Sequence, residues 1–267
     1  MSGVPAGARP ARCAWLWAGY EYLAMGLGLG ALALLCLLWL PFAMLLQPLL
    51  PRARGQRLGR WAIRQGFRAY LAFLGLCCAC RFDLSALDAL QDEGPMILAA
   101  NHPSLLDAVL IISRLPDVVC IMKAALMDNL LFGAAARLAR YIRNNAPLAM
   151  ILGARQELGE GARLLIFPEG SRTLNFPLDA CSPTTGLIAA RAQVPVQTLC
   201  IEFSTPYLGK AWPLFRRPLL PLSCRIRLGR RFPPPTDVAA FTRELEAHFR
   251  EQLLPGQPRQ DSSSPLA

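Results

Sequence analysis

Pro95-Met96-Ile97-Leu98-Ala99-Ala100-Asn101-His102-Pro103-Ser104-Leu105-Leu106-Asp107 reads as a buried strand that breaks into a polar turn and then a helix. The run to Ala100 is short, apolar and preceded by Gly94, the pattern of a strand covered on both faces. Pro103 suits the first position of a helix on which Leu106, Val109, Leu110 and Ser113 recur at helical spacing. His102, one of two histidines in 267 residues, falls at the junction.

Residues five apart on a helix differ by about 140° and do not face one another. His102 is therefore expected off the helix, its ring folded back toward Asp107. A carboxylate on one imidazole nitrogen fixes the tautomer and leaves the other nitrogen free to take a proton from a hydroxyl. A cap histidine that satisfies backbone groups fits the same spacing. A second stretch, Leu164-Leu165-Ile166-Phe167-Pro168-Glu169-Gly170-Ser171-Arg172-Thr173, is again an apolar strand entering a polar turn. Glu169 and Arg172 suit a hydroxyl and an anionic group at a strand's C-terminal end, where open α/β sheets bind ligands.

Together the two stretches resemble the glycerophospholipid acyltransferases, the lysophosphatidate acyltransferases and their bacterial relatives. Asn101, His102 and Asp107 match that family's Asn-His-x-x-x-x-Asp block, and Phe167 to Arg172 match its Phe-Pro-Glu-Gly-Ser/Thr-Arg block, in the family's order. The likeness runs from about residue 90 to 230. It implies that His102 is the general base on an acceptor hydroxyl and that Asp107 orients it. It further implies a substrate side built from Asn101, Ser104, Lys123, Arg143, Glu169, Gly170, Ser171 and Arg172. The co-substrate would be a thioester, acyl-CoA or acyl carrier protein, with no cofactor and no metal. Other blocks depart from the family on the acceptor side. The arginine of Tyr141-Ile142-Arg143-Asn144 sits one place early, Cys181 to Gly186 lacks a basic residue, and Pro195-Val196-Gln197-Thr198 lacks a second proline. These departures keep a specialised, non-glycerophosphate lipid open as acceptor, and a non-catalytic membrane-binding module of the same fold as a rival. A serine hydrolase has no Gly-x-Ser-x-Gly elbow to stand on.

Upstream, Tyr22 to Pro51 is a run of 30 residues without a charge, long enough for a hydrocarbon layer about 30 Å thick. No small-residue cleavage site follows it, so it reads as a retained membrane anchor rather than a signal peptide. Gly26, Gly28, Gly30 and Pro41 leave two forms open, a spanning helix or two short helices in one leaflet. The glycine run is ascribed to close helix packing, since no strand precedes it as a nucleotide loop requires. Arg52, Arg54, Arg57, Arg60, Arg64 and Arg68 follow, against Arg9 and Arg12 before the run. That excess marks a cytoplasmic flank that binds anionic headgroups, and Trp61, Phe67 and Tyr70 among them suit an interfacial helix. The setting implied is a bacterial inner membrane with the catalytic part cytoplasmic. The net charge of +10 is thus assigned to membrane lipids, and no nucleic-acid-binding signature accompanies it. Nine cysteines without paired metal-site spacing read as free thiols.

Downstream, Val118 to Met122 reads as a strand, Lys123 to Arg140 as one helix, and Tyr141-Ile142 as a short strand. A helix from Pro147, another near Thr185 to Arg191, and strands at Pro195 to Phe203 and Leu222 to Leu228 follow. Thr236 to Leu253 closes as an amphipathic helix with Phe241, Leu245 and Phe249 inward and His248 at the surface. The fold expected is α/β, a mostly parallel sheet flanked by helices, with an N-terminal helical membrane anchor. The expected divisions are an N-terminal segment 1–21, an anchor and basic helix 22–80, an acyltransferase domain 81–254 and a disordered tail 255–267. Two further expectations are that backbone amides at Asn101 to Ser104 stabilise an oxyanion, and that the aromatic and basic loop from Tyr207 to Arg217 touches the membrane interface.

Overall fold

Residues 97–100 sit at the middle of the sheet because both faces of so apolar a strand must be covered. The computed structural model describes residues 14–213 and 216–254; the expected N-terminal segment up to residue 13, with Arg9 and Arg12, and the expected tail from 255 lie outside them. Among the described residues seven strands form one sheet: β1 (Cys80–Asp83), β2 (Ile97–Ala100), β3 (Val118–Met122), β4 (Ile142–Arg143), β5 (Arg163–Ile166), β6 (Val196–Phe203) and β7 (Leu222–Phe232). Their order is β1-β7-β6-β2-β5-β3-β4. Every pairing is parallel except β6 with β7, so the mostly parallel sheet is as expected.

The period of two along β2 splits its side chains between two cores. Leu98 and Ala100 join Leu74, Leu110 and Leu115 on one face, while Ile97 and Ala99 join Leu158, Ile188, Leu245 and Phe249 on the other. The first face carries α1 (Ala14–Leu49), α2 (Arg52–Cys77) and α3 (Asp107–Arg114), and the second carries α6 (Pro147–Gly159), α7 (Thr184–Ala192) and α8 (Val238–Leu253). The expected helix from Lys123 to Arg140 is instead two, α4 (Ala124–Asp128) and α5 (Leu130–Leu138). The break falls at Asn129, whose backbone is extended. His248 is not the surface residue expected: its Nε2 meets Thr198 Oγ1 at 3.1 Å and accepts the Arg230 N–H at 3.2 Å.

The anchor run extends back to Ala14 as one helix of 36 residues, about 54 Å long, so the alternative of two short helices is not what forms. One face of α1 docks along the domain through Trp17, Glu21, Ala24, Gly28, Leu35 and Ala43. The opposite face shows Leu23, Leu27, Leu34, Leu38, Phe42 and Leu45. Of the glycine run only Gly28 serves close packing, since a Cβ there would meet Leu74 at 3.2 Å while Gly26 and Gly30 face open space.

The arginines of α2 divide as the sequence does not reveal. Arg52, Arg54, Arg57 and Arg68 are exposed, but Arg60 is buried. Its guanidinium pairs with buried Glu157, with Asp117 Oδ1 at 2.6 Å, and with the Ala139 carbonyl at 3.2 Å. It holds α2 to the domain rather than reaching a headgroup. Gly59 permits this approach, because a Cβ there would stand 2.7 Å from the Ala139 nitrogen. Tyr70 likewise belongs to the core, leaving Trp61 as the exposed aromatic of the trio. Removing one partner of a buried ion pair leaves the other charge uncompensated. Arg60→Ala is therefore expected to cost about 3–5 kcal/mol in chemical denaturation, whereas Arg54→Ala on the open face is expected to change stability by less than about 0.5 kcal/mol.

Candidate active site

The pairing of β2 with β5 aligns Ile97 with Leu164 and Ala99 with Ile166. Carried past the strand ends, the same offset sets His102 beside Glu169. The expected convergence of the two blocks follows: the His102 N–H donates to Glu169 Oε1 at 2.9 Å, and the Thr173 N–H donates to the His102 carbonyl at 2.8 Å. Both polar groups of the His102 backbone are thereby held by the second block. The Phe167 ring lies on the imidazole, with centroids 3.9 Å apart and planes tilted by 14°.

The helix does not start at Pro103 but at Asp107, four residues later. The intervening turn is closed by the Asp107 carboxylate, whose Oδ2 accepts the Ser104 N–H at 2.8 Å and lies 2.7 Å from His102 Nδ1. Nε2 is then the ring nitrogen left for chemistry, on a side chain 18% exposed beside a carboxylate with no exposure. Burial lowers the His102 pKa to about 4, assisted by the cations of Arg172 and Lys123 and opposed by Glu169. Burial pushes Asp107 well above the usual carboxylate range, against the Ser104 N–H that favours its anion. Asp107 Oδ1 is buried and makes no hydrogen bond. An imidazole that is neutral at neutral pH and oriented through Nδ1 can accept a proton at Nε2.

Several expected substrate contacts prove to be internal. Asn101 is buried, and its amide exchanges two hydrogen bonds with the Ile201 backbone, at 2.9 and 2.7 Å, which close the ladder to β6. Ser104 is fully buried, its hydroxyl accepting the Leu106 N–H at 3.2 Å. Glu169 accepts from the His102 N–H, the Thr173 hydroxyl at 3.0 Å and the Asp179 N–H at 2.9 Å, which ties the two blocks together at the histidine. Arg143 is not brought to the site: β4 lies three strands from β2, roughly 14 Å away, and its guanidinium grips Asp128 with bonds of 2.6 and 2.5 Å. Of the expected oxyanion amides, the N–H groups of His102 and Ser104 donate within the protein, to Glu169 and Asp107, and Pro103 has none.

The charges of Arg172 and Lys123 lie within electrostatic reach of His102 and disfavour its cation. Arg172 rests Nη1 on the carbonyls of Leu208 and Gly209, each at 2.9 Å. Gly170 supplies the turn with a φ of +68°, a conformation that costs glycine little. Lys210 donates to Ser171 Oγ at 3.0 Å. The roles of Phe167, Thr173 and Lys210 escape the sequence reading. Phe167 and Thr173 stand inside the quoted stretch, but only the strand register turns them toward the histidine.

Three comparisons bear on this geometry. A family model described as Acyltransferase matches residues 81–202. The human protein named 1-acyl-sn-glycerol-3-phosphate acyltransferase beta is 30% identical over 155 residues, 54% of this chain and 53% of that protein. The chain thus spans about half the length of that curated relative. The crystal structure of the 1-acyl-sn-glycerophosphate (LPA) acyltransferase PlsC from Thermotoga maritima superposes with a TM-score of 0.61 at 15% identity, covering 83% of this chain and 94% of that one, a likeness of fold. Over residues 81–202 the chain is similar to the acyltransferases, and the two blocks converged on one histidine lie within that matched stretch.

Proposed function

We propose that this protein transfers a fatty acyl group from an acyl thioester, acyl-CoA or acyl carrier protein, to the hydroxyl of a lysophospholipid such as 1-acylglycerol 3-phosphate. The observation that carries this reading is the His102–Asp107 pair, 2.7 Å apart, with the cations of Lys123 and Arg172 acting on the same ring. In the step proposed, Nε2 of His102 takes the hydroxyl proton as the oxygen attacks the thioester carbonyl. The C–S bond then breaks as the C–O ester forms, and the proton passes from the imidazolium to the leaving thiolate. Asp107 stabilises the imidazolium through Nδ1. Lys123 and Arg172 suit the phosphate of the acceptor. Neither a covalent acyl-enzyme nor a cofactor enters this scheme, because two bound reactants already gain from proximity.

A second acceptor is favoured by one observation. Arg143 is committed to Asp128, so a basic residue of the family's acceptor side does not reach the site, which suits a related lipid with a smaller anionic head. The membrane reading rests on α1. Its covered face runs along the domain from Trp17 to Leu46, so crossing a bilayer would drag domain surface into hydrocarbon, at a cost of several kcal/mol per unpaired polar group. We place α1 in one leaflet with its apolar face in lipid, at the cytoplasmic side of a bacterial inner membrane, where Arg52, Arg54, Arg57 and Arg68 meet anionic headgroups.

His102→Ala is expected to lower turnover by about 10²–10⁴ in a thioester assay with lysophosphatidate, and wild-type thiol release is expected to need the acceptor; release of free acid without acceptor would mean hydrolysis instead. Lys123→Ala is expected to raise KM for lysophosphatidate by roughly tenfold, equivalent to one charge-assisted contact, while leaving KM for monoacylglycerol unchanged. Since His102 must be neutral to act, the acid limb of kcat/KM is expected near its pKa of about 4 rather than at the ordinary imidazole value. Phe167→Ala, which uncovers the ring, is expected to move that limb upward.

A further inference from the structure

Away from the histidine, an open cleft of about 330 Å³ lies between the start of α1 and described residues that follow β6, lined by Tyr22, Pro206, Trp212, Arg216, Arg217 and Leu219. We propose that this cleft holds the phosphate headgroup of an anionic bilayer phospholipid, at a site separate from the reacting centre. The inference rests on the reading of α1 as a membrane-embedded helix.

Charge and shape argue for it together. Arg217 is held by Glu21, a carboxylate buried on α1, at 2.9 Å, and Glu21 also accepts the Leu220 N–H at 3.1 Å. One cation is thereby fixed in place and neutralised. Arg216 lies over the Trp212 ring, 4.8 Å from its centroid, and among the described residues no carboxylate pairs with it. An arginine stacked on an aromatic face keeps its fork of donors open to an oxyanion. The cleft volume suits a polar headgroup. Both walls are tied down: Tyr207 reaches Met25 of α1, and the carbonyls of Leu208 and Gly209 hold Arg172.

The occupant is a lipid rather than a free anion because of what surrounds the charge. Tyr22 and Leu219 are 56% and 54% exposed, and Tyr22 continues into the apolar face of Leu23 and Leu27. A dissolved phosphate gains nothing from that face. A phospholipid satisfies both at once, its phosphate on Arg216 and its glycerol and upper chains along Tyr22 and Leu219. Tyrosine and tryptophan at the level of headgroups fit the same placement.

The test is flotation of the full chain with phosphatidylcholine vesicles, with and without phosphatidylglycerol. Binding to the neutral vesicles reports α1, and the gain from phosphatidylglycerol reports the cleft. Arg216→Ala is expected to keep neutral binding and to lose more of the gain than the roughly five-fold, about 1 kcal/mol, that one diffuse surface charge supplies. Arg54→Ala is expected to lose no more than that. Arg216→Lys keeps the charge but not the stacked fork, and is expected to lose several-fold too. If Arg216→Lys or Arg216→Ala keeps the wild-type preference, only this proposal falls, as it does if inorganic phosphate, matched against chloride for ionic strength, abolishes the wild-type preference. If the wild type floats with neither vesicle, the reading of α1 as an anchor falls and takes the proposal with it.

Discussion

The parallel register between β2 and β5 is the constraint from which the site follows. With Ile97 opposite Leu164, the residues leaving the two strands are forced into contact five positions further on, and Glu169 takes the His102 N–H. A slip of one residue would turn His102 and every side chain of β2 to the opposite face. That slip is resisted from both sides, because Leu98 and Ile97 are each fully buried, in opposite cores. Precision at the His102–Asp107 pair is thus inherited from hydrophobic packing some way off.

Buried charge is used in two distinct ways. Around Arg60, three acceptors meet one guanidinium, and the result is mechanical: α2, the end of α5 and α6 are joined. Around His102 the charges are deliberately incomplete. Asp107 has one oxygen satisfied twice and the other without a hydrogen bond, and the imidazole is covered by Phe167. Such burial disfavours the charged form of both partners, lowering the histidine and raising the aspartate. The difference between a clamp and a reactive pair is therefore a difference in how many lone pairs are spoken for.

Between β6 and β7, residues 204–213 and 216–221 link α1 to the turns around His102. Tyr207 and Arg217 bind α1, Leu208 and Gly209 hold Arg172, and Leu208 accepts the Leu105 N–H beside the histidine at 3.1 Å. Leu208 thus shares its backbone between a segment tied to α1 and the turns that hold His102 and Arg172.

By itself the sequence determined the kind of fold, the two chemical blocks and the apolar helix, because each is written in local pattern: period and apolarity for strands and helices, residue identity for the blocks. Val118–Met122 was legible to the residue, as were the inward Phe241, Leu245 and Phe249. Only the tertiary structure decided which polar residues face a ligand and which face the protein. Asn101 and Glu169 fall on the quoted blocks and Ser104 on an unspecified position of the first, yet they spend hydrogen bonds on Ile201, Leu106, Thr173, Asp179 and the backbone of His102. Arg60 looks like its neighbours on α2 yet is buried. The physical reason is that a polar side chain's role is set by the partner that satisfies it, and those partners stand far away along the chain, where no local pattern records them.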